Sequence, residues 1–379
     1  MEFKGDSSDF QRIIKTLGIV ARTNTTELDG RIYIDASGDK VAFTANNGVT
    51  AIRCKSPVAE IVEPGGMSVV YSKLNTFVMS FRPWDGAAGA KNFVFKGDDK
   101  ELSVSVESLQ KEKSSFKGEL KLPVMASNFF QQLNDIDQEA FVLNSTVLRR
   151  AMNKALYAID PKMGSDQGAL QGMSFKFDGP QIYFAGSNGR VLSEYCVKNH
   201  TGIEKEDIIL QYDFVTGLRR LLVDNMQLLC ETKCNRLAVG FENVLFVGKK
   251  IIGYEYPDYR RVFENFEHRL HFPRDILIET LAPLSDILDP EDNFRLTFEI
   301  KDKVIRLYND NASMTLDHDI PGGIDFVIDV NGRILMQSVD AIHDEHVLVK
   351  FSNENGVLIL DASTTEDQKT VVTPIIRRN

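Results

Sequence analysis

The sequence has little cysteine, little proline, a single tryptophan and no long apolar run. Its four cysteines, Cys54, Cys196, Cys230 and Cys234, are too few and too scattered over 379 residues for a disulfide framework, which fits a reducing compartment. Cys230 and Cys234 form C-x3-C, but no histidine or further cysteine pair stands at zinc spacing. The pairs His268/His271 and His343/His346 are three residues apart, and on a strand such residues point to opposite faces. Neither a metal nor a cofactor is expected. No eighteen consecutive residues are apolar, and the start, "MEFKGDSSDFQ", lacks a basic region followed by an apolar run. The expectation is a soluble, cytoplasmic protein with no membrane contact. "GSNGR" has the look of a phosphate loop but lacks the Gly-Lys-Ser/Thr, and there is no nucleophile elbow and no H-E-x-x-H. No catalytic residue is therefore expected, and an enzyme is set aside.

What is present is enough apolar material, 43% of residues, to bury cores for two or three domains. A phrase of helix, strand with tight turn, second helix and closing hairpin occurs three times. The first helices start at Ser8, Ser145 and Pro273, each amphipathic with a residue suited to a first turn. The strand phrases "GDKVAFTANNG", "GPQIYFAGSNG" and "KDKVIRLYNDN", anchored at Val41, Ile182 and Val304, lie 141 and 122 residues apart. Asn47-Gly48 and Asn188-Gly189 supply the positive φ of a hairpin turn, and Asp310-Asn311 can approximate it. Second helices begin at Tyr71, Tyr212 and Val330, and alternating hairpins close each repeat. The expected fold is α+β: three similar domains in tandem over 1–128, 129–260 and 261–379, each with two helices packed on antiparallel sheets.

At the second junction stands "GYEYPDYRRVF" (Gly253 to Phe263), with three tyrosines, a proline and an Arg-Arg pair in one connector. Pro257 stiffens it, Tyr256 and Tyr259 can pack their rings while keeping a wet hydroxyl, and one arginine can pair with Asp258.

Three segments together resemble the β sliding clamp of bacterial DNA polymerase III: "LQGMSFKFDG…GSNGRVL" (Leu170 to Leu192), "YPDYRRVF" (Tyr256 to Phe263) and "TVVTPIIR" (Thr370 to Arg377). The resemblance spans the whole chain in element order, and its most specific part is Pro-Asp-Tyr-Arg-Arg-Val at a domain junction. It is divergent, since Arg190-Val191 stands where the family often has His-Arg. The resemblance implies a ring-forming protein without an active site: a head-to-tail homodimer, helices lining a hole, that holds a replicative DNA polymerase on double-stranded DNA without reading sequence. A clamp loader and other proteins with clamp-binding motifs are the further partners it implies, with a nucleoid-associated location.

Carried over residue by residue, the peptide-binding cleft would be lined by Leu170, Ser187, Gly189, Arg190, Val191 and Leu192, by Pro257, Arg261 and Val262, and by Val371, Val372, Pro374 and Ile375. The dimer contact would set Ile287 and Leu288 against an edge strand around Leu102 and Val104 and the helix from Ser72. A net charge of −10 is contrary to ordinary DNA binding, but the six predicted helices carry +5, leaving −15 for the rest. DNA-facing candidates are Lys15, Arg22, Lys73, Arg82, Arg149, Arg150, Lys154, Arg219 and Arg220. The competing reading is a repeat-built peptide-binding or structural scaffold that never encircles DNA.

Overall fold

The structure is a computed structural model, and it describes the chain except residues 22–29, 82–90, 109–116, 126–132, 137–139, 319, 353–355, 365–366 and 376–379. Six α-helices are described: α1 (Ser7–Ala21), α2 (Tyr71–Ser80), α3 (Ser145–Leu156), α4 (Tyr212–Leu221), α5 (Arg274–Asp286) and α6 (Gly332–Ala341). All six fall where the apolar spacing puts them. Ser8 lies in the first turn of α1, as expected, and its backbone N–H donates to Asp6 at 2.8 Å, so Asp6 caps that helix. Ser145 turns its Oγ to the carbonyl of Val223 at 2.6 Å, tying strand to loop instead of capping its own helix. α6 begins after Asn331, whose Oδ1 accepts from the Ile334 N–H at 2.9 Å.

The chain forms two compact units, residues 1–145 with 220–249, and 146–219 with 250–379. The first unit holds a five-stranded antiparallel sheet in the order Glu60–Glu63, Glu2–Asp6, Lys91–Gly97, Glu101–Ser108, Lys117–Pro123. Its second sheet has eight strands: Phe141–Asn144, Gln227–Lys233, Arg236–Phe241, Val244–Lys249, Thr50–Lys55, Ala42–Asn46, Arg31–Asp35, Gly66–Val70. Phe3, Phe10, Phe43, Phe93 and Phe95 are wholly buried between these sheets and α1, with Phe3 stacked on Phe95 at 4.6 Å. Each such ring contributes about 1.5–3 kcal/mol through burial.

The second unit repeats the plan. Its eight-stranded sheet runs Lys205–Gln211, Gly172–Asp178, Gln181–Ser187, Val191–Lys198, Gln368–Val372, Leu358–Ala362, His346–Phe351, His268–Pro273. A four-stranded sheet runs Ser313–Leu316, Val304–Tyr308, Arg295–Lys301, Phe326–Asn331. Leu277, Leu281 and Leu284 along α5 and Leu288 just beyond its end, with Leu335 and Val339 of α6, fill the core between these two sheets. Gly186 lets its strand approach α3 closely, since a Cβ there would lie 2.2 Å from the Ala155 carbonyl oxygen.

Each long sheet joins strands from two consecutive sequence repeats, so the unit of packing differs from the unit of sequence. The three strand phrases end in one kind of turn. Asn47, Asn188 and Asn309 each accept, through Oδ1, the backbone N–H groups two and three residues on. Gly48 (φ 84°) and Gly189 (φ 78°) take the positive φ expected of them, whereas Asp310 and Asn311 do not. The shared device is the leading asparagine, not the residue after it.

A candidate peptide-binding cleft

In the second unit, strand Val191–Lys198 pairs with Gln368–Val372, placing Val191 opposite Val372 and Leu192 opposite Val371. Because side chains alternate across a strand, these four residues divide between two faces. Val372 belongs to the core beneath the helices, whereas Leu192 and Val371 form a small outer cluster with Ala185 and Ile359. Tyr256, Tyr259, Phe263 and Phe266 of the connector pack on that cluster. Val191 and Val372 therefore support the cleft from behind and do not line it.

The turn beside this cluster is rigidly tied. Ser187 donates its hydroxyl to the Val191 carbonyl at 2.9 Å, and Asn188 N–H donates to the same carbonyl at 3.2 Å. The Arg190 carbonyl accepts both the N–H and the Oγ1 of Thr373, each at 3.0 Å. Beyond it, Pro374 bridges to Val330 and the Ile375 N–H donates to the Asp329 carbonyl at 2.7 Å. Gly189, Arg190, Pro257, Arg261, Val262 and Pro374 are exposed around the cluster, and Leu170 and Ile375 are half-buried. A Cβ on Gly189 would meet nothing within 4 Å, so the space over the turn is open. An extended chain could lie there, with apolar side chains against Leu192 and Val371 and its backbone beside the turn.

The connector does more than the sequence suggests. Tyr259 donates its hydroxyl to Glu194 Oε2 at 2.7 Å, and the Tyr256 hydroxyl is buried with no hydrogen-bond partner among the described residues. Neither hydroxyl is wet. Arg260 pairs with Asp178 at 2.9 Å and lies 4.0 Å over the Tyr183 ring, so its partner is not Asp258. A short 3-10 turn spans Arg260–Phe263. The Arg260 hydrogen bond holds the Asp178 carboxyl below the usual carboxylate range.

Glu194 is buried, and that burial pushes its carboxyl up, offset in part by the Tyr259 hydroxyl and the nearby Arg260 and Lys369. A carboxyl raised on folding contributes stability when protonated, and that contribution is lost as pH rises through its folded value. Glu194→Gln should therefore raise the thermal midpoint at pH 7.5 by more than at pH 4, measured by calorimetry. An equal shift at both values would mean that Glu194 folds without the cost assigned to it. Burial pushes the Cys54 and Cys230 thiols up to about 12 each, leaving them as small core side chains.

The other sequence candidates fall out unevenly. Lys15, Lys73, Arg150, Arg219 and Arg220 are exposed on α1, α2, α3 and α4, and Arg149 is half-buried. Arg22 and Arg82 lie outside the described residues. Lys154 is buried, pairs with Asp367 at 3.4 Å and sits 4.4 Å over the Tyr195 ring. Its ammonium is spent inside the protein rather than offered to a phosphate. Leu102 and Val104 are wholly buried, and their strand lies between two others, so the edge is Lys117–Pro123 instead. Ile287 is 50% exposed, but Leu288, at 3%, belongs to the core. A cavity of about 500 Å³ lies along α2 and the edge strand, lined by Ser72, Lys73, Thr76, Phe77, Ser80 and Leu120.

Compared with known proteins, a repeated architecture of antiparallel sheets and paired helices is that of the DNA-clamp fold. More particularly, the chain has the fold of bacterial DNA polymerase III β subunits. It superposes on the β subunit from Pseudomonas aeruginosa with a TM-score of 0.87 at 16% identity, covering 100% of both chains. The β chain from Streptococcus pneumoniae gives 0.84 at 18% identity, with 99% of this chain and 100% of that one covered. A Helicobacter pylori β clamp bound to a DNA ligase peptide gives 0.81 at 16%, again over 99% and 100%. Neither a protein-family model nor a curated protein matches the sequence. The resemblance carried by three short segments is thus borne out by the fold of the whole chain.

Proposed function

We propose that the protein is a DNA sliding clamp, a processivity factor that encircles duplex DNA as a head-to-tail homodimer. In this reading it recruits a replicative polymerase, a clamp loader and other partners through the cleft beside Gly189. The supporting observation is a full-length match to clamp structures in a chain that keeps exposed cations on its helices despite a net charge of −10. Each chain contributes three tandem domains, divided near residues 128 and 260, and the helices α1 to α4 present Lys15, Lys73, Arg149, Arg150, Arg219 and Arg220 to the phosphates. A ring that slides needs attraction without grip. An acidic exterior repels stray DNA, and a few loosely held interior cations satisfy that demand. Nucleoid association in the cytoplasm follows from the same reading.

The dimer contact joins the two ends of the chain. Ile287 of one copy enters the cavity along α2 of the other, where Phe77 and Leu120 offer apolar contact, and a contact between unlike surfaces closes after two copies. For DNA the test is topological. Protein loaded on a nicked circle should survive 0.5 M salt on a sizing column and be released once the circle is linearised, whereas binding to a short duplex should vanish with salt. Equal salt resistance on circle and linear DNA would favour the scaffold reading.

A further inference from the structure

The backbone frame of the cleft occurs twice in the chain. In the first unit, strand Thr50–Lys55 pairs with Val244–Lys249 so that Thr50 faces Gly248, as Val191 faces Val372 in the second unit. Asn47 N–H donates to the Thr50 carbonyl at 3.1 Å, matching Asn188 to Val191, and Lys249 N–H donates to the Val49 carbonyl at 3.0 Å, matching Thr373 to Arg190. The side chains laid on this frame are different. Across the outer face of the second unit's sheet runs the charged row Glu194, Lys369, Asp361. The corresponding row in the first unit is Arg53, Leu245, Gly240.

Connector residues Leu133 to Ile136 cross this second frame and are pinned to it. Arg53 donates to the Leu133 carbonyl and to Asp135, and a Cβ on Gly240 would lie 2.9 Å from the Ile136 Cδ1. On one side of the crossing is a cavity of about 580 Å³. Its floor includes Val142 and Leu229, cross-strand neighbours that are 49% and 42% exposed. Lys40, Arg53 and Lys55 rim it, against Asp135 and Glu242. On the other side a cavity of about 140 Å³ is lined by Arg236, Lys249, Leu133 and Val247 among others. The two together are lined by five cationic side chains and two acidic ones, on a chain whose net charge is −10; Arg53 and Lys55 pair with Asp135, and Lys40 is exposed at the rim.

We propose that this face of the first unit is a second docking groove, and that its occupant is a short acidic peptide of a partner protein carrying an aliphatic anchor. The aliphatic pair Val142 and Leu229 takes the anchor, and the lysines meet the flanking carboxylates. A single-stranded nucleic acid would use the same cations, but it draws its base contacts from exposed aromatic rings. The floor offers none: its one ring, Phe241, is 9% exposed. The groove is distinct from the Gly189 cleft in residues and in charge, so the two would sort partners by chemistry.

The test uses the full chain and a fluorescein-labelled peptide Glu-Asp-Leu-Leu-Asp-Glu, read by polarisation. Leu229→Asp should weaken binding about tenfold or more through the lost apolar contact and the added repulsion. Lys40→Glu should weaken it about threefold, more at low salt than at 0.3 M. Gly189→Trp should leave the affinity for this acidic peptide unchanged. Because Leu229 and Lys40 are exposed, both variants are expected to fold, and amide exchange on the wild-type protein gives an independent readout. Peptide-dependent protection at 227–229 and 240–245 supports the proposal. Unchanged affinity in both variants, protection confined to 189–192, or loss of binding in Gly189→Trp overturns it. A twelve-residue oligothymidine that binds with Lys40-dependent affinity while the peptide does not would overturn it in favour of nucleic acid.

Discussion

Ile287→Asp is expected to leave the proposed dimeric ring as monomers at micromolar concentration, read by multi-angle light scattering. Ile287 follows α5 with half its surface exposed, while the next residue, Leu288, is held in the core and fixes where Ile287 points. Burying the exposed half of such a side chain in a partner contributes about 1 kcal/mol, and a carboxylate in its place adds a desolvation cost of about 2 kcal/mol. A two-membered ring contains the contact twice. A loss of about 3 kcal/mol at each interface raises the dissociation constant by roughly four orders of magnitude. Ile276→Asp, at a position of α5 that is 48% exposed, is the control and should remain dimeric. Leu288→Asp is uninformative, because it strikes the core beside Gly332. An unchanged dimer in Ile287→Asp would move the interface elsewhere and leave the fold untouched.

The residues that misled the sequence reading did so for one physical reason. "ELSVSVES" alternates Leu102, Val104 and Val106 with polar residues, and a period of two says that one face is covered without saying by what. Here the cover is the protein's own core, and the neighbouring strand Lys117–Pro123 takes the edge. Lys154 sits in a helix rich in cations, yet its fate is decided by Asp367 and Tyr195, which no local pattern brings near. The same holds for Glu194 under Tyr259, and for Asp178 as the partner of Arg260. What was legible was local: six helix positions from apolar spacing, and hairpin turns from Asn-Gly. The cleft was legible only as a resemblance. Its floor, Leu192 and Val371, then proved to share a cluster with the tyrosines and phenylalanines of the connector. Those rings pack on the cluster, where they would also form one wall of the proposed groove.

That arrangement decides what a peptide can do here. Peptides carrying a Gln and one or two large apolar residues, taken from the cognate polymerase, are expected to bind with modest affinity, because little area is buried and the peptide must be ordered. Leu192 and Val371 are only 8% and 2% exposed, so the apolar anchor has to enter by displacing connector side chains slightly, which lowers affinity further. Gly189→Trp is expected to weaken binding more than tenfold, by filling the open space over the turn, while dimer mass stays unchanged. Some loss of stability should accompany it, about 1 kcal/mol, since φ at Gly189 is 78°. Truncation before Val371 would be a poor test, because it removes a strand of the eight-stranded sheet together with Val372 from the core. Among the described residues, truncation before Pro374 takes away the bridge to Val330 and the bond to Asp329, and it should also weaken binding while leaving the sheet intact. Calorimetric titration of the peptide into the wild type and both variants separates the possibilities. Three superimposable isotherms would mean that the connector only joins the second and third repeats, and that partners engage another face.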